Sequence, residues 1–336
     1  MAQLVRSLRD SRLVARFQRR CGLFPAPQAG PQEQGASRPP RAGPDKGGSR
    51  GPPNGLRRSW ASQLVMYIGQ VAKDILKWPR PVSPPVVRLE KRVMAEFGMP
   101  STHAMAATAI SFTLLISTIN RYQYPFVLGL MMAVVFSTLV CLSRLYTGMH
   151  TVLDVLGGVL ITATLIAITY PAWPLIDSLH SASPVLPVCV IVVPFLLCYH
   201  YPVSDAYTPT RADTTTILAA GAGVTLGLWI NHFFQLVAEP AQSLPALRSI
   251  PPLTRALVLQ GLAKFTVGLL LVLLVRLLVQ KLSLQVLFSW FKVVVRNKEA
   301  RRRLEIEVPY KFVTYTSVGI CATTFVPLLH RVLGLL

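Results

Sequence analysis

Charged residues are scarce in this chain of 336 residues. They make up 14% of it, whereas a soluble protein of this length carries about a quarter. Hydrophobic residues make up 52%, and the mean hydropathy is +0.47. This composition excludes an ordinary soluble domain and favours a protein that lies within a membrane.

Paired cysteines and glycosylation sequences are also missing. The five cysteines show no spacing typical of a disulfide framework or a zinc site, and four of them lie in apolar runs, where cysteine acts as a small hydrophobe. No Asn-x-Ser/Thr sequence occurs, so glycosylation gives no indication of which segments face which side. The sequence therefore predicts neither a disulfide-rich fold nor a zinc protein.

Long apolar runs are present instead, and they recur from Leu64 to the C-terminus. A helix of about 20 residues crosses the hydrocarbon core of a bilayer, and the runs do not alternate as the strands of a membrane barrel do. The predicted fold class is all-α, a multi-spanning transmembrane helical bundle. The first run is the weakest, because it is short and contains Lys73 and Asp74. The eight predicted spans are 64–76, 104–119, 125–142, 152–176, 185–201, 215–237, 256–279 and 312–329.

Residues 1–62 differ in composition from the rest of the chain. They carry twelve Lys and Arg against three acids, together with Pro-, Gly- and Ser-rich stretches. Such a segment buries too little apolar surface to offset its ordering entropy. The composition predicts a disordered basic cytosolic tail that is attracted to anionic lipid, and aromatic residues are too rare in it to favour nucleic-acid binding. Residues 63–336 are predicted to form the membrane domain, with no secretory signal ahead of Leu64.

Three short motifs carry most of the chemical information. Each lies where an apolar run begins or ends, and counting the membrane crossings puts all three at the same membrane face. One shared site at the bilayer surface is therefore predicted. The motifs are Lys73-x6-Arg80-Pro81, Pro100-Ser101-Thr102-His103 and Ser143-Arg144-x5-His150-x3-Asp154.

The residue types in these motifs suit the transfer of a phosphoryl group. In that reaction negative charge spreads over three phosphate oxygens, and the protein contributes positive charge and positioning. Lys73, Arg80 and Arg144 are predicted to supply the charge, since arginine binds phosphate through two parallel hydrogen bonds. Ser101 and Ser143 are predicted to donate hydrogen bonds to the same oxygens, together with backbone amides at the helix start after Ser101.

Two histidines are predicted to supply the nucleophile and the general acid and base of the reaction. His150 and Asp154 are four residues apart at a helix start, so they share a face, and the carboxylate can fix the tautomer of the ring. His150 is therefore predicted to be the nucleophile that forms a phosphohistidine. His103 is predicted to protonate the leaving alkoxide and then to act as base toward water. The nearby acids are too few and too scattered for a two-metal site, so no metal or other cofactor is expected.

The order of these motifs resembles the signature of the type 2 phosphatidic acid phosphatase superfamily, the lipid phosphatases related to vanadium haloperoxidases. The Pro-Ser-Thr-His form of the second motif, and the match from Leu64 to Leu336, resemble the sphingosine-1-phosphate phosphatases within it. The resemblance implies a metal-independent phosphohydrolase of the endoplasmic reticulum membrane, acting on sphingosine 1-phosphate and dihydrosphingosine 1-phosphate. By the same resemblance, phosphate binding falls on Lys73, Arg80, Ser101 and Arg144, and catalysis on His103, His150 and Asp154.

The segment ahead of the lysine motif departs from that family. Family members normally have one more helix there, and the first half of another, whereas here Arg57-Arg58 is followed almost directly by Leu64. The chain is therefore predicted to be a shortened form. Two alternatives to an active phosphatase stay open, namely a catalytically impaired shortened form and a transporter-like protein in which Lys73 and Asp74 line a pathway.

The basic residues conflict over which membrane face is cytosolic. The positive-inside rule favours the cytosol for the N-terminal tail and also for the basic cluster at 296–303. Counting crossings puts the cluster on the face of the site and the tail on the opposite face. An extra membrane element at Leu284–Val295 would remove the conflict, as would a first run that does not cross.

Overall fold

The computed structural model describes residues 2–23, 52–90, 96–119, 124–173, 185–202, 207, 209–234, 236, 254–292 and 299–335. Helices are the only regular elements in these ranges, which confirms the predicted all-α class. Short 3-10 turns lie at Tyr170–Ala172 and Ala300–Arg302, and a π-helical turn at Cys321–Phe325. The α-helices are α1 (Ala2–Arg9), α2 (Ser11–Arg20), α3 (Pro52–Leu76), α4 (Thr102–Thr118), α5 (Phe126–Tyr146), α6 (Val152–Thr169), α7 (Leu186–Tyr199), α8 (Thr210–Phe233), α9 (Arg255–Trp290), α10 (Leu304–Ile320) and α11 (Val326–Val332).

The described part of each predicted span coincides largely with one of these helices, except that the last span, 312–329, extends from α10 through the π-turn into α11. Five stretches are long and apolar enough to cross a membrane: α5, α6 with its 3-10 turn, α8, α9, and α10 continued through the π-turn into α11. Helices α4 and α7 are shorter apolar helices. Helix α3 has 25 residues, many of them polar, and begins well before the predicted first run. The chain is a multi-pass membrane protein, as its hydropathy predicts.

Alternate helix ends meet on one face of the bundle. The Tyr201 hydroxyl, just after α7, donates to Asp74 Oδ2 in the last turn of α3 at 2.9 Å. The amide of Ser101, just before α4, donates to the Asp154 carbonyl in the first turn of α6 at 3.0 Å. We call this the site face. It is formed by the C-terminal ends of α3, α5, α7 and α9 and the N-terminal ends of α4, α6, α8 and α10.

Helices α8, α9 and α10 complete the bundle beside α3. A Cβ at Gly223 of α8 would collide with the Thr316 carbonyl of α10, and one at Gly319 would collide with the Ala220 carbonyl of α8. Small residues therefore let these two backbones touch, as is common between membrane helices. Near the site face, Phe288 of α9 packs against α10.

Residues 2–20 are helical and packed, so the prediction of disorder is wrong for them. The buried Gln18 side chain, 1% exposed, donates from Nε2 to the carbonyls of Val87 at 2.7 Å and Tyr146 at 2.9 Å. Its Oε1 accepts from the Val87 amide at 2.9 Å, and Val14 packs against Val86. Composition could not reveal this, because the partners of α2 lie in the loop after α3 and at the end of α5, far away in the sequence. Residues 24–51 lie outside the described residues.

The described parts of both basic segments, residues 2–20 and 299–303, lie on the site face. Gln18 holds α2 next to the end of α5, and the Arg211 guanidinium at the start of α8 donates to the Arg302 carbonyl at 3.1 Å. The assignment of residues 2–20 to the opposite face is therefore wrong. Residues 284–290 are no separate element but the end of α9, whose 36 residues extend about 54 Å.

Candidate active site

Two of the predicted phosphate-binding cations lie together beside a carboxylate. Lys73, in the last turn of α3 and 1% exposed, has its Nζ 3.1 Å from Glu96 Oε2. Arg80 Nη2 lies 3.4 Å from the same oxygen. The guanidinium also donates from Nε to the Glu96 carbonyl at 2.8 Å and from Nη1 to the Met149 carbonyl at 2.9 Å. Lys73 is therefore a buried, paired residue whose ammonium group does not extend into solvent.

The segment after α3 brings Arg80 to this position. Lys77 adopts a left-handed φ of 47°, which ends the helix, and Pro79 and Pro81 then restrict the backbone on either side of Arg80. The amide of Gly98 donates to the Trp78 carbonyl at 2.6 Å. The chain thus doubles back, and residues 96–98 lie alongside residues 78–80.

His150 lies in the tight turn between α5 and α6 and is 2% exposed. Gly148 closes that turn with a φ of +69°, and a Cβ there would collide with the Val87 carbonyl. His150 Nδ1 is 2.8 Å from the Gly98 carbonyl oxygen. Since a carbonyl only accepts, Nδ1 carries the proton, and in the neutral ring Nε2 keeps its lone pair. This is the tautomer that a nucleophilic imidazole requires.

The surroundings of His150 favour its neutral form. Burial lowers the pKa of His150 well below its usual range, and the positive charges of Arg80 and Lys73 lower it further. The imidazole is therefore unprotonated at neutral pH. The same interactions show that His150 lies within electrostatic range of both cations.

Asp154 lies behind His150 but does not make the hydrogen bond that the sequence predicts. Its Oδ2 accepts from the Thr151 amide at 2.7 Å, while Thr151 Oγ1 accepts from the Asp154 amide at 3.2 Å, which together form a capping box for α6. The same Oδ2 is 3.9 Å from His150 Nδ1. The direct partner of that nitrogen is the Gly98 carbonyl. Sequence reasoning missed Gly98 because a backbone carbonyl has no residue signature.

Ser101 and His103 flank the start of α4. Ser101 is fully buried, and its Oγ has no hydrogen-bond partner among the described residues. It occupies the N-cap position without capping the helix through its side chain, so its hydroxyl is left for a ligand. The first amides of α4 also lack partners within the helix. His103 is exposed and lies within electrostatic range of Arg144 and Lys73.

Arg144 and Ser143 lie in the last turn of α5. Arg144 Nη1 is 3.9 Å from Glu90 Oε1, and its Nε donates to Ser143 Oγ at 3.3 Å. The Ser143 hydroxyl donates in turn to the Val140 carbonyl of its own helix at 2.7 Å. Its proton is therefore engaged, and this geometry favours Ser143 as a partner of Arg144. The phosphate contact expected of Ser143 stays a prediction.

The three motifs thus converge, as the counting of crossings predicts. Direct contacts link Lys73, Arg80, Glu96, Gly98 and His150, and the start of α6 is bonded to the start of α4 through backbone atoms. In the part of the chain that the structure describes, no group of three or more His, Cys, Asp or Glu side chains is placed to hold a metal ion. The arrangement combines clustered positive charge, a free hydroxyl and a neutral imidazole.

Comparisons with known proteins agree with this arrangement. A family model described as the PAP2 superfamily matches residues 59–176, which contain all three motifs. Sphingosine-1-phosphate phosphatase 2 of Mus musculus is 74% identical over 356 residues and that of Homo sapiens 66% over 398, each alignment covering all of both chains. Sphingosine-1-phosphate phosphatase 1 of Rattus norvegicus is 38% identical over 274 residues, 81% of this chain and 63% of that relative. No solved structure matches the chain.

The alignment with the human relative is longer than this chain, at 398 against 336 residues. That relative therefore has stretches without a counterpart here, and their location ahead of the lysine motif stays a prediction. The identity over the full chain, together with the shared motifs, is decisive for the family. The chain belongs to the PAP2 superfamily and, within it, to the sphingosine-1-phosphate phosphatases.

Proposed function

We propose that this protein hydrolyses the phosphate monoester of sphingosine 1-phosphate and dihydrosphingosine 1-phosphate, releasing the sphingoid base and inorganic phosphate. The observation that carries the proposal is His150, a buried neutral imidazole with Nε2 unprotonated beside Lys73 and Arg80. The names of the relatives in mouse and man supply the substrate class. The proposed location is the endoplasmic reticulum membrane.

Binding of the phosphate is assigned to charge and hydrogen bonding. Lys73, Arg80 and Arg144 neutralise the phosphate oxygens, and the buried Ser101 hydroxyl and the first amides of α4 donate to them. Because these groups lie at helix ends on the site face, the phosphate is bound at the membrane surface. The lipid chain extends from there along the apolar helices.

Catalysis proceeds in two displacements. His150 Nε2 attacks phosphorus, the bond from phosphorus to the ester oxygen breaks, and His103 protonates the departing alkoxide, which leaves as the sphingoid alcohol. The phosphohistidine is then attacked by water, whose proton passes to His103, and phosphate leaves with His150 regenerated. The Gly98 carbonyl holds the Nδ1 proton throughout, and Asp154 offsets the positive charge that develops on the ring.

Phosphate release by the purified full chain in detergent–lipid micelles tests this function. We expect release from sphingosine 1-phosphate that survives EDTA, and a loss of about 10³-fold or more in His150→Ala. His330→Ala is the matched control, because that imidazole bonds the Lys264 carbonyl far from the site, and its rate should equal that of the unmodified protein. Equal rates for His150→Ala and the unmodified chain would remove the enzymatic claim, and loss of release in EDTA would contradict the metal-independent scheme.

The same assay addresses the alternatives. A catalytically impaired shortened form would release no phosphate above background. For the transporter-like alternative, the two residues of its pathway are both engaged, since Lys73 pairs with Glu96 and Asp74 accepts from Tyr201. A panel that includes phosphatidic acid tests the lipid class, and a preference for the glycerolipid would overturn the sphingoid assignment while leaving the mechanism in place.

A further inference from the structure

A carboxylate lies inside a site that is built for an anion. Glu96 Oε2 contacts both Lys73 Nζ at 3.1 Å and Arg80 Nη2 at 3.4 Å, and the Glu96 side chain is 13% exposed. Glu96 is outside the three motifs. A substrate phosphate needs the same two cations, and two anions cannot share them without repulsion. The mechanism described above has no use for this negative charge.

The carboxylate is not what holds Arg80 in place. The Arg80 guanidinium is anchored through Nε and Nη1 by the backbone carbonyls of Glu96 and Met149. Those two bonds would be available to any residue at position 96. The Glu96 side chain can therefore move away from Arg80 without loss of the guanidinium position.

The other carboxylates nearby have different roles. Glu90 is 46% exposed, and its Oε1 makes a loose contact of 3.9 Å with Arg144 Nη1. Asp74 accepts from Tyr201, and Asp154 caps α6. Glu96 thus differs from the other described acids near the site. Its carboxylate is largely buried, contacts the phosphate-binding cations, and makes no other hydrogen bond among the described residues.

The chemistry of the proposed substrate supplies a partner for this charge. A sphingoid 1-phosphate carries an ammonium group on the carbon next to the one that bears the phosphate ester, whereas a glycerolipid phosphate carries an oxygen there. The substrate is therefore an anion with a cation beside it. A site with two cations and an adjacent carboxylate is complementary to that pair of charges.

We propose that Glu96 determines the specificity of this site for amine-bearing lipid phosphates. When phosphate enters between Lys73 and Arg80, the Glu96 carboxylate yields those cations to it and pairs with the neighbouring ammonium. For a lipid phosphate without the amine, the displaced carboxylate stays beside the phosphate unpaired and opposes binding. This inference rests on the proposed function and deepens it.

The test compares Glu96→Gln with the unmodified full chain on three substrates in the same micelles: sphingosine 1-phosphate, its N-acetyl derivative and lysophosphatidic acid. A hydrogen bond between charged groups accounts for about 10- to 100-fold in binding. We expect kcat/KM for sphingosine 1-phosphate to fall by about that factor, mainly through KM, and the values for the two amine-free substrates to stay level or rise. Glu96→Asp, which keeps the charge on a shorter side chain, should restore part of the preference.

Glu90→Gln is the matched control, since it also removes one carboxylate beside a phosphate-binding arginine. It should change all three substrates by the same factor. If Glu96→Gln lowers kcat/KM equally for all three substrates, Glu96 is only an ion-pair partner of Lys73 and Arg80. If it raises kcat/KM equally for all three, Glu96 is only an obstacle to phosphate binding. Either result overturns the proposal.

A second measurement needs no variant. In the unmodified protein, N-acetylation of sphingosine 1-phosphate should lower kcat/KM by about the same 10- to 100-fold, and equal rates for the two would overturn the inference even if Glu96→Gln fails to fold. No phosphate release from any substrate by the unmodified chain is a different failure, because it would remove the proposed function itself.

Discussion

Two clusters of charged residues lie on the site face, and their difference shows how a ligand site can be told from a structural ion pair. The phosphate cluster consists of Lys73, Arg80 and Glu96, and the support cluster of Tyr207, Arg211 and Glu307. In the support cluster both carboxylate oxygens are occupied: Glu307 Oε1 accepts from Tyr207 at 2.9 Å and Oε2 from Arg211 at 3.0 Å.

The phosphate cluster is unbalanced by comparison. One oxygen of Glu96 faces two buried cations, and the nearby Ser101 hydroxyl has no partner among the described residues. Two buried cations that share one carboxylate oxygen, together with an unused donor, are costly unless an anion joins them. In the support cluster one cation faces one carboxylate whose two oxygens are both paired, and the cluster joins α8 to α10.

The largest contrast is expected between two arginines. Arg80→Ala should lower kcat/KM by about 10²- to 10³-fold, because it removes a preorganised donor to the phosphate. Arg211→Ala should lower the thermal stability of the purified protein and leave kcat/KM of the folded fraction near that of the unmodified chain. Phosphate release and thermal unfolding in detergent measure the two effects. A comparable loss of kcat/KM in both variants would erase the distinction between the clusters.

The pH dependence of activity should show that His150 is buried beside the phosphate cluster and does not titrate like an exposed histidine. Because burial and the neighbouring cations lower the pKa of His150, the ring stays neutral as the pH falls through 6.5. The acid limb of kcat/KM should therefore lie below that of an unperturbed histidine. The same pH profile is measured with a second substrate whose phosphate group is more acidic. An acid limb that does not move between the two substrates arises from ionisation of the enzyme and not of the substrate. An enzyme-derived limb at or above pH 6.5 would contradict the environment described for His150.

Ser101→Ala should affect activity without affecting stability. The hydroxyl makes no hydrogen bond with the described residues that could be lost, but its removal takes a donor from the phosphate, so kcat/KM should fall about tenfold. Thr162→Ala is the matched control, because it also removes a buried hydroxyl, but one that has a protein partner. The Thr162 hydroxyl donates to the Gly158 carbonyl within α6 at 2.9 Å. A clear fall in thermal stability of Ser101→Ala would show that the hydroxyl has a structural partner.

The smallest effect on activity is expected at Gln18. In Gln18→Leu the Val87 amide and the Val87 and Tyr146 carbonyls lose their partner, so α1 and α2 should detach from the site face. Limited proteolysis should then cut before residue 24, while kcat/KM falls only a few-fold, about 0.5–1 kcal/mol in activation free energy. Arg16→Ala, on the exposed side of α2, should leave the proteolysis pattern unchanged.

The membrane helices and the convergence of the motifs were predictable because hydropathy and residue order decide them. An apolar run of sufficient length has to be helical in a bilayer, since its backbone groups have no other partners there. Helix α3 was only half predicted, because its first part is polar. Residues 2–20 were predicted wrongly, since their ordering depends on Val87 and Tyr146, which are distant in sequence.

Within the site, the sequence identified the side chains better than their contacts. The spacing of four residues predicted that His150 and Asp154 share one face, and His150 Nδ1 is indeed 3.9 Å from Asp154 Oδ2. The pairing of Nδ1 with the Gly98 carbonyl and of Asp154 with Thr151 could not be read from spacing, because backbone atoms compete for the same groups. The position of Glu96 between two cations was likewise invisible, as it depends on the chain doubling back after Pro81.

The sequence by itself determined that this protein is a helical membrane protein whose phosphate-binding residues and histidines share one face. Those properties follow from hydrophobic length and from the order of crossings, which are local and additive. Only the tertiary structure decided which oxygen holds the His150 proton and which carboxylate faces Lys73 and Arg80. Hydrogen bonds and ion pairs act over about 3 Å, and the chain path alone determines which groups come that close.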